Sequence, residues 1–170
     1  MSQVQIREDD HVRGSRDAAI VIVEYGDFQC PYCARAHTTL AALQQRHGER
    51  IALVYRHLPL GMHPNAGPAA EAAEAAGAQG RFWEMHDSLF AHQAQLTPGQ
   101  LPQLAGELGV DGARFGQELA EGRYRERIEA QAAEGKSLGA RGTPSFFING
   151  ERYEGDSDQE SLTAAVERYL

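Results

Sequence analysis

Apolar residues fall into a few short runs along this chain, and the spacing within each run names the element it builds. Ala19 to Tyr25 is almost continuously apolar and rich in β-branched residues, which predicts a central strand covered on both faces of a sheet. Gly26-Asp27-Phe28-Gln29 supplies turn residues. From about Pro31 to Arg46 the spacing becomes helical, with Ala34, Ala36, Leu40 and Leu43 on the packed side and Gly48 as the stop. Ile51 to His57 reads as a second strand, apolar at Ile51, Leu53 and Val54, and strand, helix, strand in that order predicts a right-handed parallel crossover. Leu60 to Gly139 holds no strand pattern and predicts four or five helices. One of them spans the alanine-dense segment Ala66 to Ala78, punctuated by Glu71 and Glu74, where small residues on one face allow close packing. Phe82-Trp83-Glu84-Met85 and Leu89-Phe90 continue the helical spacing. Thr97-Pro98 reads as an N-cap followed by proline at the first helical position, and Asp111 as another cap. Strand character returns at Ser145 to Ile148, with Asn149-Gly150 as a hairpin turn and Glu151-Arg152-Tyr153 as the partner strand, before a closing amphipathic helix from Gln159 to Leu170. The chain thus divides into a polar lead over 1–18, an α/β unit over 19–59 and 140–170, and an inserted all-helical subdomain over 60–139.

Composition narrows the function. With 170 residues, 42% of them hydrophobic, the chain has enough core to fold without a disulfide, so its two cysteines are free for chemistry. A net charge of −8 and a pI near 5.3 argue against a nucleic-acid surface, and no run approaches a membrane span. The lead lacks the apolar central region of a secretory signal, which predicts a cytoplasmic protein as written, or a periplasmic or extracytoplasmic one if a leader precedes it. A monomer is expected.

Those two cysteines stand together in Cys30-Pro31-Tyr32-Cys33, directly after the first strand and at the start of the first helix. Residues three apart on a first helical turn share a face, so their sulfurs can close a small ring. Pro31 suits the first helical position because its missing N–H would have had no partner there. Cys30 then meets the positive end of the helix dipole and free N–H groups, which favour a thiolate and bring the pKa from about 8.5 into a range of roughly 3.5 to 7.5. Cys30 is the expected nucleophile. Cys33, one turn inward and less exposed, is the resolving thiol. A structural zinc site needs four ligands, and no second Cys pair exists among 170 residues. A purely structural role is also disfavoured, because so short a loop constrains the unfolded chain little. No metal is expected, nor any cofactor beyond the dithiol.

The run Asp27-Phe28-Gln29-Cys30-Pro31-Tyr32-Cys33, with the order of elements around it, resembles the DsbA-like thiol:disulfide oxidoreductases, a thioredoxin-type fold with a helical insertion. Val23-Glu24-Tyr25-Gly26-Asp27, Tyr55-Arg56-His57, His63-Pro64, Phe82 to Asp87 and Gly142 to Phe146 carry the likeness across nearly the whole chain. Glutaredoxins also use Cys-Pro-Tyr-Cys but are too short for the insertion. The resemblance implies exchange of disulfides with protein or peptide thiols, and a redox partner that recycles the pair. It implies that Thr143-Pro144 is a cis peptide facing the cysteines, with the Thr143 backbone free to pair with an extended substrate. It also implies that Glu24, six residues before Cys30, accepts the Cys33 proton with a pKa raised by burial. Tyr32 stands where the most oxidising members carry histidine, which implies a milder oxidant than the value of about −120 mV for DsbA.

Two other readings share these residues: the same chemistry run as a cytosolic reductase or peroxide-responsive thiol, and a peptide-binding chaperone module in which the cysteines are incidental. Glutathione-dependent transferases of this fold generally place serine where Cys30 stands. Trp83, Phe82 and Phe90 read as core, and His57, His63 and His86 as hydrogen-bonded packing residues. Asp10-His11 also resembles the family, without an evident mechanism.

Overall fold

In a computed structural model, which describes residues 4–170, a five-stranded sheet forms the centre of the molecule. The strands are β1 (His11–Arg13), β2 (Ile20–Gly26), β3 (Ile51–His57), β4 (Ser145–Ile148) and β5 (Glu151–Arg152), in the order β1-β3-β2-β4-β5. β2 is central, as its apolar run, interrupted only by Glu24, requires. It pairs in parallel with β3 from Ile20↔Ile51 to Gly26↔His57 and antiparallel with β4 from Ile22↔Ile148 to Tyr25↔Ser145. Asn149 and Gly150 turn the β4–β5 hairpin with φ of 48° and 88°, the left-handed pair that such a turn demands.

Alternation along the strands divides the sheet into two faces. Ile20, Ile22, Leu53, Phe146 and Ile148 pack under α1 (Pro31–His47) and α7 (Gln159–Glu167), against Leu40, Leu43, Leu162 and Val166. Val23, Tyr25, Val54 and Phe147 cover the opposite face, against Ala132 and Leu138 of the segment around α6 (Arg125–Ser137). Five helices fill the insertion: α2 (Ala66–Gly77), α3 (Phe82–Ala91), α4 (Leu101–Gly106), α5 (Gly112–Ala120) and α6. Their apolar cluster runs on without a break into Phe28, Cys30, Cys33 and Tyr55, so the cysteines lie where sheet and insertion meet.

Three features depart from the sequence pattern. The polar lead contributes β1, antiparallel to β3 through His11↔Tyr55 and Arg13↔Leu53; three residues with a single aliphatic side chain give no readable alternation. Its anchor is Asp10, which accepts two hydrogen bonds from the buried Arg56 guanidinium at 3.0 and 2.8 Å. Tyr25 and Glu134 complete that network, and residues 1–3 of the lead lie outside the described residues. The alanine helix α2 is buried on nearly every side rather than along one face, because α3, α4, α5 and α6 all pack against it. Thr97-Pro98 forms a turn before α4, whose N-cap is Gln100 and whose early proline is Pro102; the Thr97 hydroxyl donates to Gln100 Oε1 at 2.8 Å instead of capping the helix. Asp111 does cap α5, accepting from the N–H groups of Ala113 and Arg114 at 3.0 and 3.1 Å.

Candidate redox site

Cys30 is the N-cap of α1, extended at φ −76° and ψ 122°, with Pro31 in the first helical position. Its carbonyl accepts from Cys33 N–H and Ala34 N–H at 3.1 and 3.2 Å, and both cysteines are free thiols. The first turn contains no acidic residue, while Arg46 and His47 sit in the last turn, so nothing within the helix opposes its dipole.

The loop that delivers Cys30 is braced from three directions. Asp27, 1% exposed, accepts from Gln29 N–H at 2.7 Å and Leu60 N–H at 2.8 Å, and its second oxygen also faces His63 Nδ1 at 2.8 Å. Gln29 Oε1 accepts from Asn65 N–H at 2.9 Å. From the insertion, Gln93 Nε2 donates to the carbonyls of Phe28 and Cys30 at 2.9 and 3.0 Å. Sequence reading missed Gln93, which stands in a polar stretch with no periodicity to mark it.

The two sulfurs are electrically unlike. The Cys33 thiol donates to the Cys30 sulfur and is the largest influence holding Cys30 down to about 5; burial opposes it, and the Thr143 side chain and the N–H groups of Cys33 and Tyr32 assist. Cys30 is therefore almost wholly ionised at pH 7. As a thiol it donates to the Thr143 carbonyl at 3.5 Å, and the Thr143 hydroxyl, buried and without a hydrogen-bond partner among the described residues, is the side-chain group that favours the thiolate. Cys33 is pushed well above the ordinary range by burial first, then by its donation to Cys30 and the nearby Glu24 and Cys30 charges. Cys30 is less open than the sequence reading implied, at 3% exposure against 0% for Cys33. Pro31 and Tyr32 form the exposed rim, with Tyr32 at 57% and the Arg35 guanidinium 4.6 Å from its ring centroid.

Glu24 projects from β2 on the α1 side, aligned with Tyr55 of β3 and Phe146 of β4. It is 1% exposed, its Oε2 has no donor, and burial, followed by the Cys30 charge, raises its pKa to about 8. Gly26, two residues on, leaves room for the Tyr55 ring: a Cβ there would stand 2.6 Å from Tyr55 Cε2. The Thr143–Pro144 peptide is cis and approaches Cys30 through the Thr143 carbonyl. β5 pairs with Phe147 and Ile148, and Tyr153 N–H donates to Phe146 O at 2.8 Å; the ladder ends there, leaving Thr143 to Ser145 beyond it. A cleft of about 540 Å³ opens along Thr143, Pro144 and Ser157, and a second of about 480 Å³ along Tyr32, Arg35 and Ser157. The motif, Glu24 and the Thr143-Pro144 pair, far apart in sequence, thus converge at one end of the sheet.

His57, His63 and His86 each meet a carboxylate. His57 shares Glu74 with His11, both at 2.8 Å, and His11 stacks on Phe82 with ring centroids 3.6 Å apart, which gives Asp10-His11 a structural role.

A family model described as thioredoxin matches residues 7–168. A Na(+)/H(+) antiporter, NhaA 1, of Salinispora arenicola is 50% identical over 159 residues, covering 92% of this chain and 24% of that protein, so the chain spans about a quarter of the curated relatives it matches. BdbD from Bacillus subtilis, in its oxidised crystal structure, superposes with a TM-score of 0.86 at 20% identity, covering 99% of this chain and 96% of that one. DsbA2 of Pseudomonas aeruginosa superposes at 0.76 with 28% identity, covering 98% and 97%. No helix among the described residues is long and apolar enough to cross a membrane. With the match running nearly end to end, the chain belongs to the thioredoxin family, and its fold, with a helical insertion interrupting the sheet, is the one seen in the BdbD and DsbA2 structures.

Proposed function

We propose that this chain is a protein thiol:disulfide oxidoreductase acting through Cys30 and Cys33. The observation that carries the reading is the unequal pair itself: an N-cap sulfur held as thiolate by its neighbour's thiol, beside a cis Thr143–Pro144 edge. In the reducing direction the Cys30 thiolate attacks one sulfur of a substrate disulfide; that S–S bond breaks, and the far sulfur leaves as a thiolate and takes a proton from solvent. The mixed disulfide removes the Cys30 charge, so Glu24 ionises more readily and accepts the Cys33 proton. Cys33 then attacks Cys30 Sγ, the substrate sulfur leaves, and two electrons have passed from the pair to the substrate. The oxidising direction is the reverse and ends with the reduced pair handing its two electrons to the redox partner that recycles it.

A Cys30 pKa of about 5 lies between the values of about 7 for thioredoxin and about 3.5 for DsbA. Stabilising the thiolate stabilises the reduced form, so the potential falls between about −270 and −120 mV. The substrate segment lies extended along Thr143 to Ser145, adding to the free end of β4. The ion antiport in the relatives' names is no part of this reading. The test is thiol exchange with insulin and a cysteine peptide: Cys30→Ser abolishes turnover and Cys33→Ser traps a mixed disulfide at Cys30. Turnover surviving in Cys30→Ser would overturn the proposal and leave a binding module.

A further inference from the structure

Behind the cysteines lies a second group of ligand-type side chains, drawn from two helices. His37 is on α1, one turn beyond Cys33, and His86 and Asp87 are on α3. Asp87 Oδ1 stands 2.9 Å from His86 Nδ1 and 3.7 Å from His37 Nε2, and one ligand atom from each residue lies within 4.8 Å of the other two. We propose that His37, His86 and Asp87 bind a divalent transition-metal ion, zinc above all, in a site that ties the cysteine helix to the inserted subdomain.

Two observations carry it. The spacing is near what zinc needs: ligands 2.0 to 2.1 Å from a tetrahedral zinc lie about 3.3 Å apart, between the 2.9 and 3.7 Å separations to Asp87, and the two histidines, within 4.8 Å of each other, reach it by closing up to about 1.5 Å through side-chain rotation. The ligands are held in place from outside. Arg13 Nη2 donates to Asp87 Oδ2 at 2.7 Å and keeps Oδ1 turned to the histidines, His37 stacks on Phe90 at 5.3 Å, and His86 is wedged between Tyr55 and Trp83 at 4.8 and 4.9 Å. His86, 1% exposed, presents its Nδ1 to Asp87, while its Nε2 has no partner among the described residues. With neutral imidazole, the Nδ1 proton facing Asp87 moves to Nε2 when the metal takes Nδ1, so His86 binds without a net change in its protonation. Two imidazoles and one carboxylate oxygen favour zinc, nickel or copper over magnesium or calcium. The His37 and Asp87 side chains, 20% and 43% exposed, leave a path for the ion and a position for water. No residue spacing in the sequence shows this set, because its members meet only when α1 packs on α3.

The test uses tag-free protein with Cys30 and Cys33 oxidised, so that thiolates cannot compete, and zinc titrated against a chromogenic chelator. One equivalent should bind, raising the thermal midpoint by several degrees, and His37→Ala and Asp87→Asn should each weaken binding about tenfold or more while circular dichroism shows both folded. The Cys30→Ser/Cys33→Ser double variant should bind as the oxidised protein does. Absence of saturable one-to-one binding, or equal affinity in the wild type and both ligand variants, would overturn the proposal.

Discussion

Glu24→Gln isolates the electrostatic cost of the carboxyl beneath the cysteine helix. In the folded, reduced protein burial raises Glu24 from 4.5 to about 8, whereas the unfolded chain ionises it near the ordinary value. Between those two pH values the folded state holds a proton that the unfolded state releases. Stability from this group is therefore fully present below 4.5 and is lost as pH rises toward 8. At pH 7 the gap from 4.5 is 2.5 units, which at 1.36 kcal/mol per unit is a cost of about 3 kcal/mol. Glutamine keeps the shape and loses the titration, but its amide still needs partners in a place where Oε2 has none. The readout is thus the pH dependence of the difference and not its absolute size; groups remote from Glu24 cancel in it, and the Cys30 charge, which is coupled to Glu24, enters as part of the same difference. Urea unfolding of both reduced proteins at pH 4.5 and pH 7 should show the variant gaining about 3 kcal/mol relative to wild type over that interval. Resolution of the mixed disulfide by Cys33 should slow by about 100-fold and lose the part of its pH dependence that follows Glu24 ionisation, keeping only the rise set by deprotonation of Cys33 itself. A stability difference equal at both pH values, with an unchanged resolution profile, would refute the reasoning.

Two further outcomes follow from the same geometry. Tyr32→His places an ionisable ring at the exposed rim beside Cys30 and should shift the equilibrium with glutathione toward the reduced protein, making a stronger oxidant; an unchanged or more reducing potential would contradict the role given to Tyr32. Asp10→Asn takes from the Arg56 guanidinium, 2% exposed, the nearer of its two carboxylates, leaving Glu134 at 3.3 Å, and should cost roughly 1.5 to 3 kcal/mol in chemical denaturation, with β1 fraying first in hydrogen exchange; a loss below about 1 kcal/mol would mean the pair is not what anchors the lead.

What the sequence could disclose was what is local. The apolar run of β2, the helical spacing after Pro31, the Asn149-Gly150 turn and the Asp111 cap each rest on a few neighbouring residues, and each recurs in the structure. The convergence of the cysteine motif with Thr143-Pro144 was legible only through family resemblance, since 110 residues separate Cys33 from Thr143 and no periodicity spans them. Contacts made by isolated polar side chains stayed hidden. Gln93 bracing the Cys30 loop, Asp10 pairing with Arg56 and His37 meeting Asp87 each depend on how helices and strands pack, and a lone polar residue carries no sign of its partner. Burial was misjudged for the same reason. Alanine on every face of α2 reads from sequence like a helix with one packed side, and the Thr143 carbonyl over Cys30 cannot be inferred from the motif.

The central claim is that Cys30 is a stabilised thiolate, and its titration tests that most directly. Thiolate absorbance near 240 nm, followed from pH 3 to pH 9 in the reduced protein with Cys30→Ser as the blank, should rise with a midpoint at about 5. A midpoint near the ordinary thiol value of about 8.5 would contradict the account.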